Sequence, residues 1–235
     1  MDNEPLIIAL ETALINGSLS LLKGNKVIAT LSGTQKSNRT ENLLPSISGL
    51  LKENNYELNS IDLFAVSTGP GSFTGLRVGL ATAQALAFSL ERPCLKISLL
   101  DALCLTQKFK NGSNVYAAIM GQQNKIFWKQ FAGAVCKSAV SKIRVTELES
   151  LIGEITPDKT SPEIAPEANF VVFERNLYQL LKMNIPEEKL DREIKLYYAS
   201  DNASEIIGHT AYNIYCNDNK SLGNSNPFYE FEIQN

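Results

Sequence analysis

The chain has 235 residues, 44% hydrophobic and 20% charged, which predicts an ordinary soluble globule with a substantial core in one large or two small domains. A formal net charge of −3 and the lack of a basic cluster argue against a broad, sequence-independent nucleic-acid surface. The acidic start Met1-Asp2-Asn3-Glu4-Pro5 runs directly into an apolar segment, so neither a signal peptide nor a membrane span is expected.

In chain order, Leu6 to Glu11 is a continuous apolar run, and residues 17–22 and 26–31 alternate around Gly24-Asn25, which together predict a three-stranded meander. Leu43, Leu44, Ile47, Leu50 and Leu51 fall on one helical face, with Pro45 tolerable in the first turn. Residues 61–67 read as a buried strand and residues 74–90 as a proline-free helix of good helix formers. Beyond Pro93 the pattern weakens: a strand over 94–97, a helix over 99–108, a turn at 111–114, and strands at 115–120 and 126–131. A helix around 145–155, a surface loop over 156–166, a strand at 168–173, a last helix at 204–215 and an Asn-rich connection at 217–226 complete the reading. Cys94, Cys104, Cys136 and Cys216 show no C-x-x-C pair, which predicts reduced thiols in a cytoplasmic protein and no zinc site.

Between the strand at 61–67 and the helix at 74–90 lies T-G-P-G-S-F-T-G-L-R-V-G, residues 68–79. A strand, a glycine-rich turn and a helix N-terminus in succession can aim backbone N–H groups at an anion. Gly69 and Gly71 permit positive φ and close backbone approach, and Ser72 or Thr74 can cap the helix. Arg77 opposes the helix dipole in the first turn, so a carboxylate or a phosphate is expected beside it, or a solvated helix face. Gly75, Gly79, Ala83 and Ala87 recur every fourth residue and form a smooth stripe where another backbone can approach. Such a stripe is buried either within its own domain or under a partner.

G-P-G-S-F-T-G-L-R-V-G, together with I-I-A-L-E-T-A near the start and N-L-L-P between them, resembles the bacterial TsaB (YeaZ) family over residues 5–100. The resemblance implies an α/β fold of the actin-like (ASKHA, ribonuclease H-like) type with two related subdomains, here divided as 1–108 and 109–235. It implies a non-catalytic scaffold for the TsaD-type ligase that makes threonylcarbamoyladenosine in tRNA, with tRNA met only indirectly. Partner contact is expected from the helices at 41–53 and 74–90, through Leu43, Leu44, Ile47, Gly75, Arg77, Gly79 and Ala83. A TsaE-type ATPase in the assembled complex, a homodimer in the partner's absence, and ATP or ADP with Mg in the complex also belong to this expectation; a membrane does not. Departures fall in the second half, at Met120-Gly121-Gln122 and Phe228-Tyr229-Glu230, where the family carries arginines.

For catalysis the sequence offers little. His209 is the lone histidine, so no multi-histidine metal site and no Ser/His/Asp or Cys/His set can be assembled, and no catalytic residue is expected. Asp62 and Asp101 sit at element starts, where capping accounts for them. Glu11 and Thr12 stand where the resemblance places a phosphate-facing loop, and with Gly69, Gly71 and Ser72 they outline a degenerate nucleotide cleft. The alternative for Glu11 is a strand-end carboxylate that accepts backbone N–H groups of the next turn. Two rivals to the scaffold remain open: an ASKHA ATPase or carbamoyl/phosphoryl transferase using Glu11 and the glycine turn, and the peptidase activity with which relatives in this superfamily have been labelled.

Overall fold

The computed structural model describes residues 4–14, 17–33, 42–109, 114–121, 123, 125–132, 138–139, 143–155, 168–172, 175–190 and 194–218. These form two compact units: the described residues up to Leu99 together with those from Asn202 onward, and those from Leu100 to Asp201.

The first unit is a five-stranded sheet in the order β3-β2-β1-β4-β5, formed by β1 (Leu6–Glu11), β2 (Ser18–Lys23), β3 (Lys26–Ser32), β4 (Leu63–Ser67) and β5 (Cys94–Ile97). The meander β1-β2-β3 is antiparallel, and β4 and β5 add to β1 in parallel. Every residue of β1 and β4 is buried because both faces of the sheet are covered, which is why these strands read as unbroken apolar runs. On one face Leu6, Ile8 and Leu10 share a core with Leu43, Ile47 and Leu50 of α1 (Leu43–Glu53) and Ala83 and Ala87 of α2 (Phe73–Ser89). The period of two places the odd residues of β1 on the opposite face, under α6 (Ala203–Asp218).

Joining the last helix to the first unit corrects a division of the chain at residue 108. Its cause is a set of contacts with no local sequence signal. Gly208 brings the α6 backbone against Leu22 and Ala9, where a Cβ would overlap the Leu22 side chain. At the helix start, Ser204 N donates to Ser18 Oγ at 2.9 Å, and the Ser204 and Ser20 hydroxyls lie 2.7 Å apart. Thr30 Oγ1 donates to Glu205 Oε1 at 2.9 Å, and Ser32 bonds to Asn202. Buried hydroxyls pair in this way because an unmet polar group in the interior costs about 1–3 kcal/mol.

In the second unit the sheet order is β11-β10-β6-β7-β8, with β6 (Asn114–Met120), β7 (Ile126–Ala132), β8 (Ser138–Ala139), β10 (Ala168–Val172) and β11 (Ile194–Tyr198). β9 (Arg144–Thr146) also pairs with β7. The short α3 (Leu99–Cys104) enters this unit, and α4 (Leu148–Ile155) and α5 (Arg175–Asn184) supply Leu151, Leu177 and Leu181 to a core with Ile126, Trp128 and Ile194. The helix expected over 145–155 begins only at Leu148. Before it, Val145 pairs with Phe127 and the Arg144 guanidinium lies 5.0 Å from the Trp128 ring centre, a cross-strand gain that outweighs local helix propensity. α5 and β11 were not anticipated, although Leu177, Leu181 and Ile185 recur at helical spacing and are buried.

The turn at 111–113, the loop at 156–166, Gln122, Cys136 and everything from 219, including 228–230, lie outside the described residues; α6 reaches Asp218, past residue 217 where the Asn-rich connection was expected to begin. Cys94 and Cys216 are free thiols, whereas Cys104 is disulfide-bonded, which corrects the expectation of reduced thiols throughout. Among the described residues no helix is long and apolar enough to cross a membrane.

Candidate functional site

β4 ends at Ser67 and delivers the chain into the glycine turn beside the end of β1. Gly69 takes φ +89°, a region that excludes most side chains, and the Gly69–Pro70 peptide is cis. At Gly71 the backbone passes so close to the first strand's exit that a Cβ would stand 2.6 Å from Ala13 O. Ser72 then caps α2: its Oγ accepts from Gly75 N at 3.3 Å, and its own N–H donates to Ala13 O at 2.8 Å.

The facing loop combines local hydrogen bonds with ties to α2. Glu11 is 1% exposed, and its Oε1 accepts from Ala13 N at 2.6 Å and Leu14 N at 3.0 Å, while Gly17 N donates to Leu14 O at 3.1 Å. Thr12 Oγ1 donates to Gly75 O at 2.7 Å and ties the loop to the first turn of α2. A phosphate at this loop would compete with the Glu11 carboxylate for the same two N–H groups and would be repelled by it. Glu11, Thr12, Gly69, Gly71 and Ser72 therefore do meet in space, but as a clasp between the two loops; the residues present do not fit a nucleotide phosphate there.

The small-residue stripe faces inward. Gly75, Gly79, Ala83 and Ala87 are the buried residues of α2, and a Cβ at Gly75 or Gly79 would overlap Thr12 O or Thr12 Oγ1 respectively. Leu43 and Ile47 are likewise buried at 5% and 1% exposure. Five of the seven residues expected to touch a partner are thus occupied by their own sheet. The correction has a simple cause: a helix lying on strands β1 and β4 needs small residues wherever a loop backbone crosses it.

Leu44 and Arg77 are the two that remain on the surface, with Leu44 56% exposed. The outer face of α2 carries Phe73, Arg77, Ala81, Ala85 and Phe88 at intervals of three or four residues, all exposed. Phe73 and Phe88 are 66% and 71% exposed, and the Arg77 guanidinium stacks 3.8 Å from the Phe73 ring centre. Sequence reasoning missed both phenylalanines. The signal was there, since residues 73, 77, 81, 85 and 88 lie opposite the glycine stripe on a helical projection.

The remaining sequence candidates have structural partners. Asp62 accepts from Leu6 N at 2.8 Å, and Asp101 pairs with Lys129 at 2.7 Å. His209 is half-buried on α6 with Nδ1 2.8 Å from Asn25 Oδ1; burial holds its pKa below the ordinary histidine value, partly offset by Glu205. Among the described residues no three His, Cys, Asp or Glu side chains converge as a metal ligand set.

Comparison with known proteins adds three findings. Residues 27–168, more than half of the chain, match the family model described as TsaD: tRNA N6-adenosine threonylcarbamoyltransferase. The chain is 36% identical over 129 residues to the tRNA threonylcarbamoyladenosine biosynthesis protein TsaB of Buchnera aphidicola from Baizongia pistaciae, and 35% identical over 126 residues to that of Haemophilus influenzae. These matches cover 54% and 53% of this chain and 58% and 52% of the two relatives, so the chain spans little more than half the length of the curated relatives it matches. The solved structure of YeaZ from Pseudomonas aeruginosa superposes with a TM-score of 0.58 at 21% identity, over 91% of this chain and 94% of that one, which supports the shared actin-like fold.

Proposed function

The chain belongs to the TsaB (YeaZ) family, and from that premise we propose that it serves in making threonylcarbamoyladenosine in tRNA as a non-catalytic partner of a TsaD-type ligase. The observation that carries this reading is the contrast at the glycine turn. In the turn Gly69 N donates to Ser67 Oγ, Ser72 N to Ala13 O and Gly75 N to Ser72 Oγ, and in the facing loop Glu11 holds Ala13 N and Leu14 N, whereas the outer face of the helix that the turn starts presents two exposed aromatic rings and an arginine.

Docking would run through that outer face and through Leu44 of α1. Ala81 and Ala85 are small enough to let a partner helix approach the α2 axis closely. Phe73 and Phe88 flank them as anchors, since large aromatic residues and arginine dominate interface energetics. Arg77 is held over the Phe73 ring, so its charge is already oriented for a partner carboxylate. Without a partner the same apolar stripe favours self-association. Nucleotide, Mg, a TsaE-type ATPase and tRNA would then be met by the assembled complex.

The test is co-elution of the chain with a TsaD-type ligase, followed by an assay of tRNA modification. Phe73→Ala/Arg77→Glu should abolish both while leaving the circular dichroism spectrum unchanged. Co-elution of that variant at wild-type yield would overturn the proposed docking face. ATP turnover by the isolated chain would instead favour the transferase reading.

A further inference from the structure

The second unit carries a groove of about 790 Å³ where the facing ends of β6 and β7 with Gln123, the start of α4 and one side of α5 come together. Its apolar lining is Met120, Ile126, Leu148, Leu180 and Met183. The chain has three methionines, Met1, Met120 and Met183, and both internal ones line this groove. Methionine is unbranched and polarizable and re-packs around differing partners, a property that suits a surface binding another protein segment better than a core. Met183 is 82% exposed and Leu180 37% exposed, so the unit leaves them to solvent although its own core lies one helical face away at Leu177 and Leu181.

The rim sets the polarity of an occupant. Among the described residues lining the groove Glu147 and Glu149 are the charged ones, and the other polar side chains are amides. Phosphate-bearing ligands are disfavoured at such a rim, and a cationic one is attracted. The α5 wall presents Asn176, Gln179, Leu180, Met183 and Asn184, a stripe at i, i+3, i+4, i+7 and i+8 that runs parallel to a helix laid beside it.

We propose that this groove is a docking site for an amphipathic helix of a partner protein whose apolar face meets Met120, Leu180 and Met183 and whose basic flank meets Glu147 and Glu149. The site lies in the second unit and stands independently of the α2 face.

The test titrates the full chain with a synthetic 14-residue amphipathic Leu/Lys peptide lacking tryptophan, and with a Leu/Glu peptide of the same pattern. Trp128 is the chain's single tryptophan and shares the core with Ile126 and Leu148, so its fluorescence reports occupancy. Saturable one-to-one binding of the Leu/Lys peptide is expected, with none of the Leu/Glu peptide. Glu147→Gln/Glu149→Gln and Met183→Asp should each weaken it tenfold or more. Glu187→Gln/Glu188→Gln, a charge-matched pair exposed in the same unit but outside the groove, should leave it unchanged. Equal weakening by both glutamate pairs would reduce the effect to net charge and overturn the proposal. So would absence of saturable binding, or a wild-type dimer in sedimentation that Met183→Asp dissociates, which would make a second copy the occupant.

Discussion

The two faces of α2 have nearly the same hydrophobicity and opposite fates. The inner face is built from Gly75, Gly79, Ala83 and Ala87 and is closed against Thr12 and the sheet; the outer face, with Phe73, Arg77, Ala81, Ala85 and Phe88, is exposed. What separates them is volume. A crossing loop at van der Waals distance tolerates hydrogen but no methyl group at Gly75, whereas the larger Phe73 and Phe88 side chains are 66% and 71% exposed. The stripe of Gly75, Gly79, Ala83 and Ala87 therefore marks an intramolecular contact, and Phe73 and Phe88 mark the surface offered outward.

Substitutions that exchange the properties of the two faces test this contrast. Ala83→Arg puts a charge at a fully buried position and is expected to destabilise by about 4 kcal/mol or more, enough to unfold a marginal domain, as urea denaturation would show. Gly75→Ala is smaller in volume but meets a backbone carbonyl, and a loss of about 2 kcal/mol is expected after helix propensity offsets part of the overpacking. Stability equal to wild type would mean that the Thr12 loop yields, and the inner face would no longer be distinguished by volume. On the outer face, Phe73→Ala or Arg77→Glu should change stability by no more than about 0.5 kcal/mol. Each should nevertheless raise the Kd for a TsaD-type partner about 10- to 100-fold in titration calorimetry.

A chemical probe reads the same contrast without a partner. Cys94 belongs to the core cluster that includes Ala83 and Ala87, and burial pushes its thiol up to about 11, so at neutral pH it is protonated and protected. Iodoacetamide should label exposed Cys216 first. Gly75→Ala should speed labelling of Cys94 severalfold, whereas the outer-face variants leave it slow. Fast labelling of Cys94 in the wild-type chain would indicate that the inner face opens readily.

Much of the first unit was legible in the sequence because its strands and helices have strong and different periods. β1 to β5, α1, α2 and the Ser72 cap lie within a residue or two of where pattern and capping chemistry put them. Glu11 was read with two alternatives, and its Oε1 makes the bonds to Ala13 N and Leu14 N that the strand-end carboxylate calls for. The second unit was less legible. β9 is three residues long and depends on Trp128 and Phe127 across the sheet, so no local pattern could separate it from the first turn of α4.

From the sequence alone came the α/β class, the element order of the first unit, the glycine turn and its family resemblance, since each follows from local propensity, period or motif. The tertiary structure alone decided three things: that α6 returns to the first sheet, that the glycine stripe faces Thr12, and that the α2 surface left outward is aromatic and cationic. The reason is common to all three. A residue's type limits what it can touch, but which of two equally apolar faces is covered depends on what distant segments bring to it, through contacts such as Ser18 with Ser204 that no local window contains.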